Sequence, residues 1–266
     1  MRASLQQRSP FPAVAILLAA SMVFFLDGAT AGVQAPSHPK RPAGVPEGYV
    51  TTPNGYFHAS CVRQLAEGDV LLVDKGIIRH SDGSIESCPV CNYAHYTAAG
   101  EAVAPALAAP GQALSSRAAD AVTPASITQG YINSAYTTTT TSYGQIVATW
   151  VVPSAPASND GQTLYFWPGL EPTDFSIVLQ PILGWFYGSW WIFGANCCPG
   201  GVNYTSPLLN VNPGDQIQGT VQANCPTGTL NCGSWNVIAQ DLTAGTSSLL
   251  STSNSGPPMS VAYAGV

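Results

Sequence analysis

At the centre of Ser176-Ile-Val-Leu-Gln-Pro-Ile-Leu-Gly-Trp185 a glutamine, Gln180, interrupts a run that otherwise has the apolar character of a buried β-strand. A buried amide without partners costs about 1–3 kcal/mol, so its donors and acceptor must be in use. Two uses fit: a cross-strand amide bonded to backbone, or a preorganised donor aimed at a reacting group. The surrounding half of the chain narrows the chemistry, because every Lys and Arg lies at or before Arg117 and the last histidine is His95. Residues 118–266 alone therefore cannot assemble a Ser-His-Asp triad, a Cys-His dyad, a Ser-Lys pair or a histidine-based metal site. Carboxylates, amides, hydroxyls and aromatics remain, and the acids are Asp120, Asp160, Glu171, Asp174, Asp215 and Asp241. Glu171 and Asp174 stand three apart on a Pro-containing stretch, a spacing that does not set them face to face across a groove as a glycosidase pair would require. Trp185, Tyr187, Trp190 and Trp191 suit a platform for sugar rings or apolar peptide side chains, and suit ordinary sandwich core equally.

The elements that must position these residues are strands. Runs with β character recur at 145–152, 162–167, 176–183, 188–193, 216–222, 234–241, 247–252 and 259–266, with Gly, Pro and Asn in the gaps. Amphipathic helical periodicity is nowhere sustained, so the pattern predicts an all-β domain of two packed antiparallel sheets over 129–266. Upstream, residues 47–97 carry shorter alternating runs such as 69–74 and 76–79 and predict a small, Cys-containing β-rich segment. A Pro-rich linker at 32–46 precedes it, and an Ala/Pro/Ser-rich connector or processing site follows at 98–128.

Composition bounds the class. The chain has 266 residues, 45% hydrophobic and only 8% charged, with a formal charge of -6, which is too apolar for intrinsic disorder and lacks the basic patch that nucleic acid requires. Arg2 and Arg8 precede an apolar run from Ala13 to Leu26, and Ala29-Thr30-Ala31 follows, the pattern of a signal peptide over residues 1–31. The expectation is a secreted, extracellular or periplasmic protein that is monomeric and not membrane-bound after cleavage. An oxidising compartment makes disulfides the default for the seven cysteines. Cys225 and Cys232 read as a bridged hairpin tip, Cys61, Cys88 and Cys91 as a second group, Cys197-Cys198 as a third, with one thiol left over. Neither a metal nor a cofactor is expected. So few titratable groups in 118–266 also predict tolerance of acid, since acid denaturation acts mostly through paired carboxylates and charging histidines.

Four segments in order, Ala148-Thr-Trp-Val-Val-Pro153, Trp167-Pro-Gly-Leu-Glu171, Ile177-Val-Leu-Gln-Pro181 and the aromatic run from Trp185 to Phe193, resemble the glutamic peptidases (eqolisins) and their exported relatives over roughly residues 130–266. The resemblance implies a concanavalin-like, jelly-roll β-sandwich with a signal and an N-terminal prosegment, hydrolysing protein or peptide substrates in acid. It implies that Gln180 is the catalytic glutamine, with Trp167 on the substrate side and Glu171 an accessory acid; Trp185 and Trp190 are further candidates for substrate contact. The chemistry is coherent: an activated water needs a base, which a glutamate of ordinary pKa near 4.3 supplies in mild acid, and a donor for the oxyanion. An amide donor never titrates. One feature departs from the pattern. The family's base is a glutamate on a late strand, and no glutamate follows Glu171 in this sequence. The expectation is either a chain cut short before that glutamate and inactive as it stands, or a scaffold retained as a non-catalytic carbohydrate- or peptide-binding protein.

Overall fold

The computed structural model describes residues 41–103, 133–253 and 257–266. The expected signal peptide and most of the expected linker and connector lie outside them. In the first part the strands are β1 (Tyr49–Thr52), β2 (Gly55–His58), β3 (Val62–Gln64), β4 (Val70–Leu72), β5 (Ile77–Arg79), β6 (Ile85–Ser87), β7 (His95–Tyr96) and β8 (Ala102–Val103). The second part adds β9 (Ser134–Thr138), β10 (Gln145–Val151), β11 (Leu164–Glu171), β12 (Val178–Phe186), β13 (Ser189–Cys197), β14 (Asn203–Thr205) and β15 (Leu209–Val211). It closes with β16 (Gln216–Ala223), β17 (Ser234–Asp241), β18 (Thr246–Ser253) and β19 (Val261–Gly265).

These strands make an all-β sandwich, as the sequence predicts. A seven-stranded sheet runs β10-β16-β17-β18-β4-β5-β6, and an eight-stranded sheet runs β3-β14-β13-β12-β11-β19-β9 with β15 also on β13. The alternation that drives this is plain in β17, where every second residue from Trp235 to Asp241 is buried. Its inward side chains meet those of the facing sheet, so that Leu170, Leu179, Tyr204, Trp235, Val237 and Leu250 form one part of the core between the layers. Leu183, Trp185, Trp190, Ile192 and Ile217 form the other. Gly219 admits Trp150 and Pro181 to this interface; a Cβ there would stand 2.7 Å from the indole and 2.8 Å from the proline ring.

The N-terminal segment shares both sheets. Strand β3 pairs in parallel with β14, and β4 pairs in parallel with β18, while β1-β2-β7-β8 forms a separate four-stranded sheet. Disulfides join Cys61 to Cys91 and Cys225 to Cys232, the adjacent Cys197 and Cys198 are bridged to each other, and Cys88 carries the free thiol.

At the middle of the eight-stranded sheet the ladder between β11 and β12 is interrupted. Bridged pairs run from Leu164–Trp185 to Phe166–Leu183 and resume only at Leu170–Leu179. In the register these pairs set, Pro168 falls opposite Pro181, and neither has an N–H to give.

Candidate active site

Strand parity decides which side chains share a face. On β12, Leu179 and Leu183 are core residues, so Gln180 and Ile182 project from the other, concave face. The same register sets Gly169 of β11 opposite Gln180, with Trp167 and Glu171 two residues to either side on that face. Such diagonal neighbours have Cα atoms about 7–8 Å apart, within reach of long side chains. The Trp-x-Gly-x-Glu spacing thus brackets Gln180 with an indole and a carboxylate. Among the strands of the eight-stranded sheet, Glu171 is the sole Asp or Glu.

The Gln180 amide is only 1% exposed and is held by side chains. Its Nε2 donates to the Tyr263 hydroxyl, and its Oε1 accepts from Asn54 Nδ2 at 3.1 Å. Tyr263 reaches it across Gly169, where a Cβ would stand 2.8 Å from the phenol ring. Only glycine permits that approach. Asn54 comes from 126 residues earlier in the chain, at the tip of the hairpin formed by β1 and β2.

That hairpin lies over the site. Its two-residue tip, Pro53-Asn54, is stiffened by the Thr52 hydroxyl, which accepts from the Asn54 N–H at 3.2 Å and donates to the Gly55 carbonyl at 2.9 Å. Phe57 packs with Val178 and Cys197 of the concave face, and Tyr165 Oη donates to the Thr51 carbonyl at 3.3 Å. Burial of Ile182 and Ala195 to 0% exposure on this outward face follows from such cover. The hairpin is backed by stacked rings, His95 on Phe57 with centroids 5.0 Å apart and Tyr93 on His58 at 3.7 Å, and the Cys61–Cys91 bridge ties its end.

His95 and His80 respond to acid in opposite senses. Burial holds the His95 pKa below its ordinary value. His80 is pushed up by its hydrogen bond to Asp69 at 3.1 Å, reinforced by Glu86. A histidine whose folded-state pKa is depressed costs the folded form stability as pH falls from about 6.5 through that pKa; one that is raised adds stability as pH falls through its raised pKa to about 6.5 and keeps it below. Between neutrality and mild acid, His95 therefore loosens the backing of the hairpin while His80 supports the β4–β6 region. Hydrogen-exchange protection factors at pH 7 and pH 4.5 check this: protection in β1 and β2 should fall while that in β17 holds. Equal retention in both would contradict it.

The remaining sequence candidates separate. Trp167 lies on the concave face, packed with Ile182, Phe193 and Ala195. Trp185 and Trp190 point the other way, into the core between the sheets, with centroids 5.3 Å apart. Besides Trp167 and Tyr263, the aromatic residues that share the face of Gln180 are Tyr165, Phe186, Trp191 and Phe193, Phe186 stacking on Trp191 at 6.0 Å. Parity counted from Gln180 along β12 finds Phe186, whereas Trp191 and Phe193 follow only from the β12–β13 register, which sets them opposite Gly184 and Ile182. Asp174 bonds the Ser176 N–H at 3.0 Å in a loop. Asn203, first residue of an Asn-Tyr-Thr sequon, is 1% exposed within β14 and is not an accessible glycan acceptor in the folded chain. A cleft of about 630 Å³ opens between the hairpin, β14 and the aromatic end of the face.

Comparison with protein-family models gives no match, and none is found among curated proteins. Among solved structures the chain is similar to scytalido-glutamic peptidase with a peptide-based transition-state analogue, at 20% identity and a TM-score of 0.40, over 50% of this chain and 61% of that one. A second structure of that peptidase, with a transition-state analogue inhibitor, gives 22%, 0.40, 50% and 62% in the same terms. SCP-B, a member of the eqolisin family of peptidases in complex with the tripeptide Ala-Ile-His, gives 22%, 0.37, 50% and 60%. The chain thus spans about three-fifths of the length of the structures it matches.

Proposed function

We propose that the chain is an exported, glutamic-type acid endopeptidase-like protein held in a covered form by its own N-terminal hairpin. The observation that carries this reading is the placement of Gln180 and Glu171 as diagonal neighbours on one sheet face that has no other strand-borne carboxylate among the described residues. Glu171 takes a proton from a water between the two side chains, and the water oxygen bonds to the peptide carbonyl carbon. The carbonyl oxygen gathers charge against Gln180 Nε2, and Glu171 returns the proton to the leaving nitrogen as the C–N bond breaks. Trp167 walls the substrate side. In this reading Glu171, which the resemblance implies as an accessory acid, serves as the base. Both groups belong to one chain, so a monomer suffices, and the disulfides are compatible with an extracellular setting.

At 1% exposure Gln180 touches no substrate while Asn54 sits on it, so opening of the hairpin precedes turnover. Acid favours that opening through His95. The test is cleavage of a denatured protein substrate at pH 3–5 by the full chain and by Phe57→Ala, which removes the main apolar anchor of the hairpin. Phe57→Ala is expected to raise the initial rate about tenfold, as 1.4 kcal/mol of lost docking would. Absence of peptide-bond cleavage in both forms would overturn the peptidase reading and leave a binding protein. A rate that merely tracks the folded fraction would make the hairpin structural rather than inhibitory.

A further inference from the structure

We propose that Tyr263 turns Gln180 over: its hydroxyl accepts from Nε2 while the hairpin covers the site, and donates to Oε1 once a substrate carbonyl has taken the hairpin's place. The turn swings the N–H groups of Gln180 from the sheet to the substrate. Its consequence for catalysis rests on the peptidase reading, whereas the turn itself follows from the contacts of one amide.

The covered form holds that amide the wrong way round for an oxyanion. Asn54, at the hairpin tip, donates to Oε1 at 3.1 Å, so the end of the side chain that meets the cover is an acceptor. Nε2 is given instead to the Tyr263 hydroxyl on β19. A carbonyl oxygen gathering negative charge needs a donor on the side that Asn54 occupies, and Oε1 there repels it. Departure of the hairpin alone therefore leaves an incomplete site.

A half-turn about the last side-chain torsion of a glutamine exchanges its two ends. They are alike in size, and this torsion has a broad, roughly two-fold profile, so the exchange needs no repacking of the strand. The partner that stays behind must, however, be able to change sense. A hydroxyl both donates and accepts, so Tyr263 serves either orientation, whereas an ammonium, a carboxylate or a main-chain carbonyl would serve only one. With Asn54 in place, its N–H selects Oε1; with a peptide carbonyl in place, that acceptor selects Nε2, and Tyr263 keeps Oε1 bonded.

Tyr263 remains when the hairpin leaves. All five residues of β19 are paired with β11 on one side and with β9 on the other. The phenol crosses Gly169, where a Cβ would stand 2.8 Å from the ring and 2.9 Å from Oη, and it packs against Trp167, Ile182 and Phe193. Of Asn54 and Tyr263, only the second belongs to the eight-stranded sheet that carries Gln180. The hydroxyl is thus a fixed pivot beside a side chain that has one torsion to change.

The test joins NMR to kinetics on Tyr263→Phe, which keeps the ring and deletes Oη. With nitrogen-15 in the glutamine side chains, the Gln180 signal is the one lost in Gln180→Glu. In the otherwise unaltered chain, Tyr263→Phe should move an Nε2 proton upfield. In Phe57→Ala saturated with a peptide aldehyde, whose hydrate carries the tetrahedral oxygens, the same substitution should leave both Nε2 protons in place. Cleavage of a denatured protein in acid by the Phe57→Ala form should show kcat lowered about tenfold by Tyr263→Phe with KM within about twofold, the pattern of an interaction made only in the transition state. A phenol that merely packs would change the thermal midpoint and not kcat. Asn54→Ala, which removes the contact to Oε1 and keeps Phe57, takes the place of Phe57→Ala if that variant does not fold. Nε2 protons that respond to Tyr263→Phe equally with and without the aldehyde, or an unchanged kcat, would overturn the turn alone, since cleavage by the parent form upholds the peptidase reading. No cleavage and no aldehyde binding by any form would end both.

Discussion

Glu171→Gln is expected to lower acid peptidase turnover by about 10²–10⁴, the range over which a general base acts, while the folded protein persists. The substitution keeps size and shape at the half-buried end of β11, where the residue pairs with Val261, so the ladder does not depend on the charge. It removes the one carboxylate that the strands of this sheet supply. The measurement is kcat/KM in the Phe57→Ala background, where the site is open, beside the thermal midpoint of each form. Unchanged turnover would show that another group takes the proton, and the pairing of Gln180 with Glu171 would lose its functional meaning.

Gln180→Glu should cut turnover by about 10²–10³, the cost of losing one oxyanion donor, and leave the fold in place. The carboxylate can still accept from Asn54 Nδ2, and the Tyr263 hydroxyl can turn to donate, so both contacts of the native amide have replacements. Only the donated N–H is lost. Gln180→Ala separates chemistry from structure in the other direction: it removes the acceptor of Asn54 Nδ2 and should lower stability by about 1–3 kcal/mol. If activity per folded molecule survives Gln180→Ala, the amide is a structural one, and the oxyanion role falls whatever the stability change. The two variants measured side by side therefore distinguish a donor that serves the reaction from one that ties the hairpin down.

Much of the concave face was legible before the fold. The Trp167, Gly169 and Glu171 spacing has period two, as does the step from Gln180 to Ile182, and a strand turns such spacing into a shared face. The same rule corrects the aromatic assignment: Trp185 is an odd number of residues from Gln180 and so faces the core, while Phe186 stays with the site. What could not be read was the cover. Asn54 and Gln180 are 126 residues apart, and a side-chain bond over that distance leaves no local trace. Thr52-Pro-Asn-Gly55 does carry a turn signature, which identifies a hairpin but not its destination. The short strands β9, β14 and β15 also escaped, since three to five residues without sustained alternation are set by their neighbours in the sheet rather than by their own pattern.

The two opposed prolines have a mechanical meaning. Where Pro168 meets Pro181 the backbone offers no rung, so the eight-stranded sheet behaves there as two leaves, β12 with β13 and β14 on one, β11 with β19 and β9 on the other. Gln180 rides on the first leaf and Glu171 on the second. The ladder resumes between them at Leu170–Leu179, and Tyr263 adds a phenol-amide tie to Gln180 beside it. The stretch without rungs lies on the Trp167 side of the pair, so a small parting of the leaves there moves the indole wall of the site while main chain holds the spacing of Gln180 and Glu171.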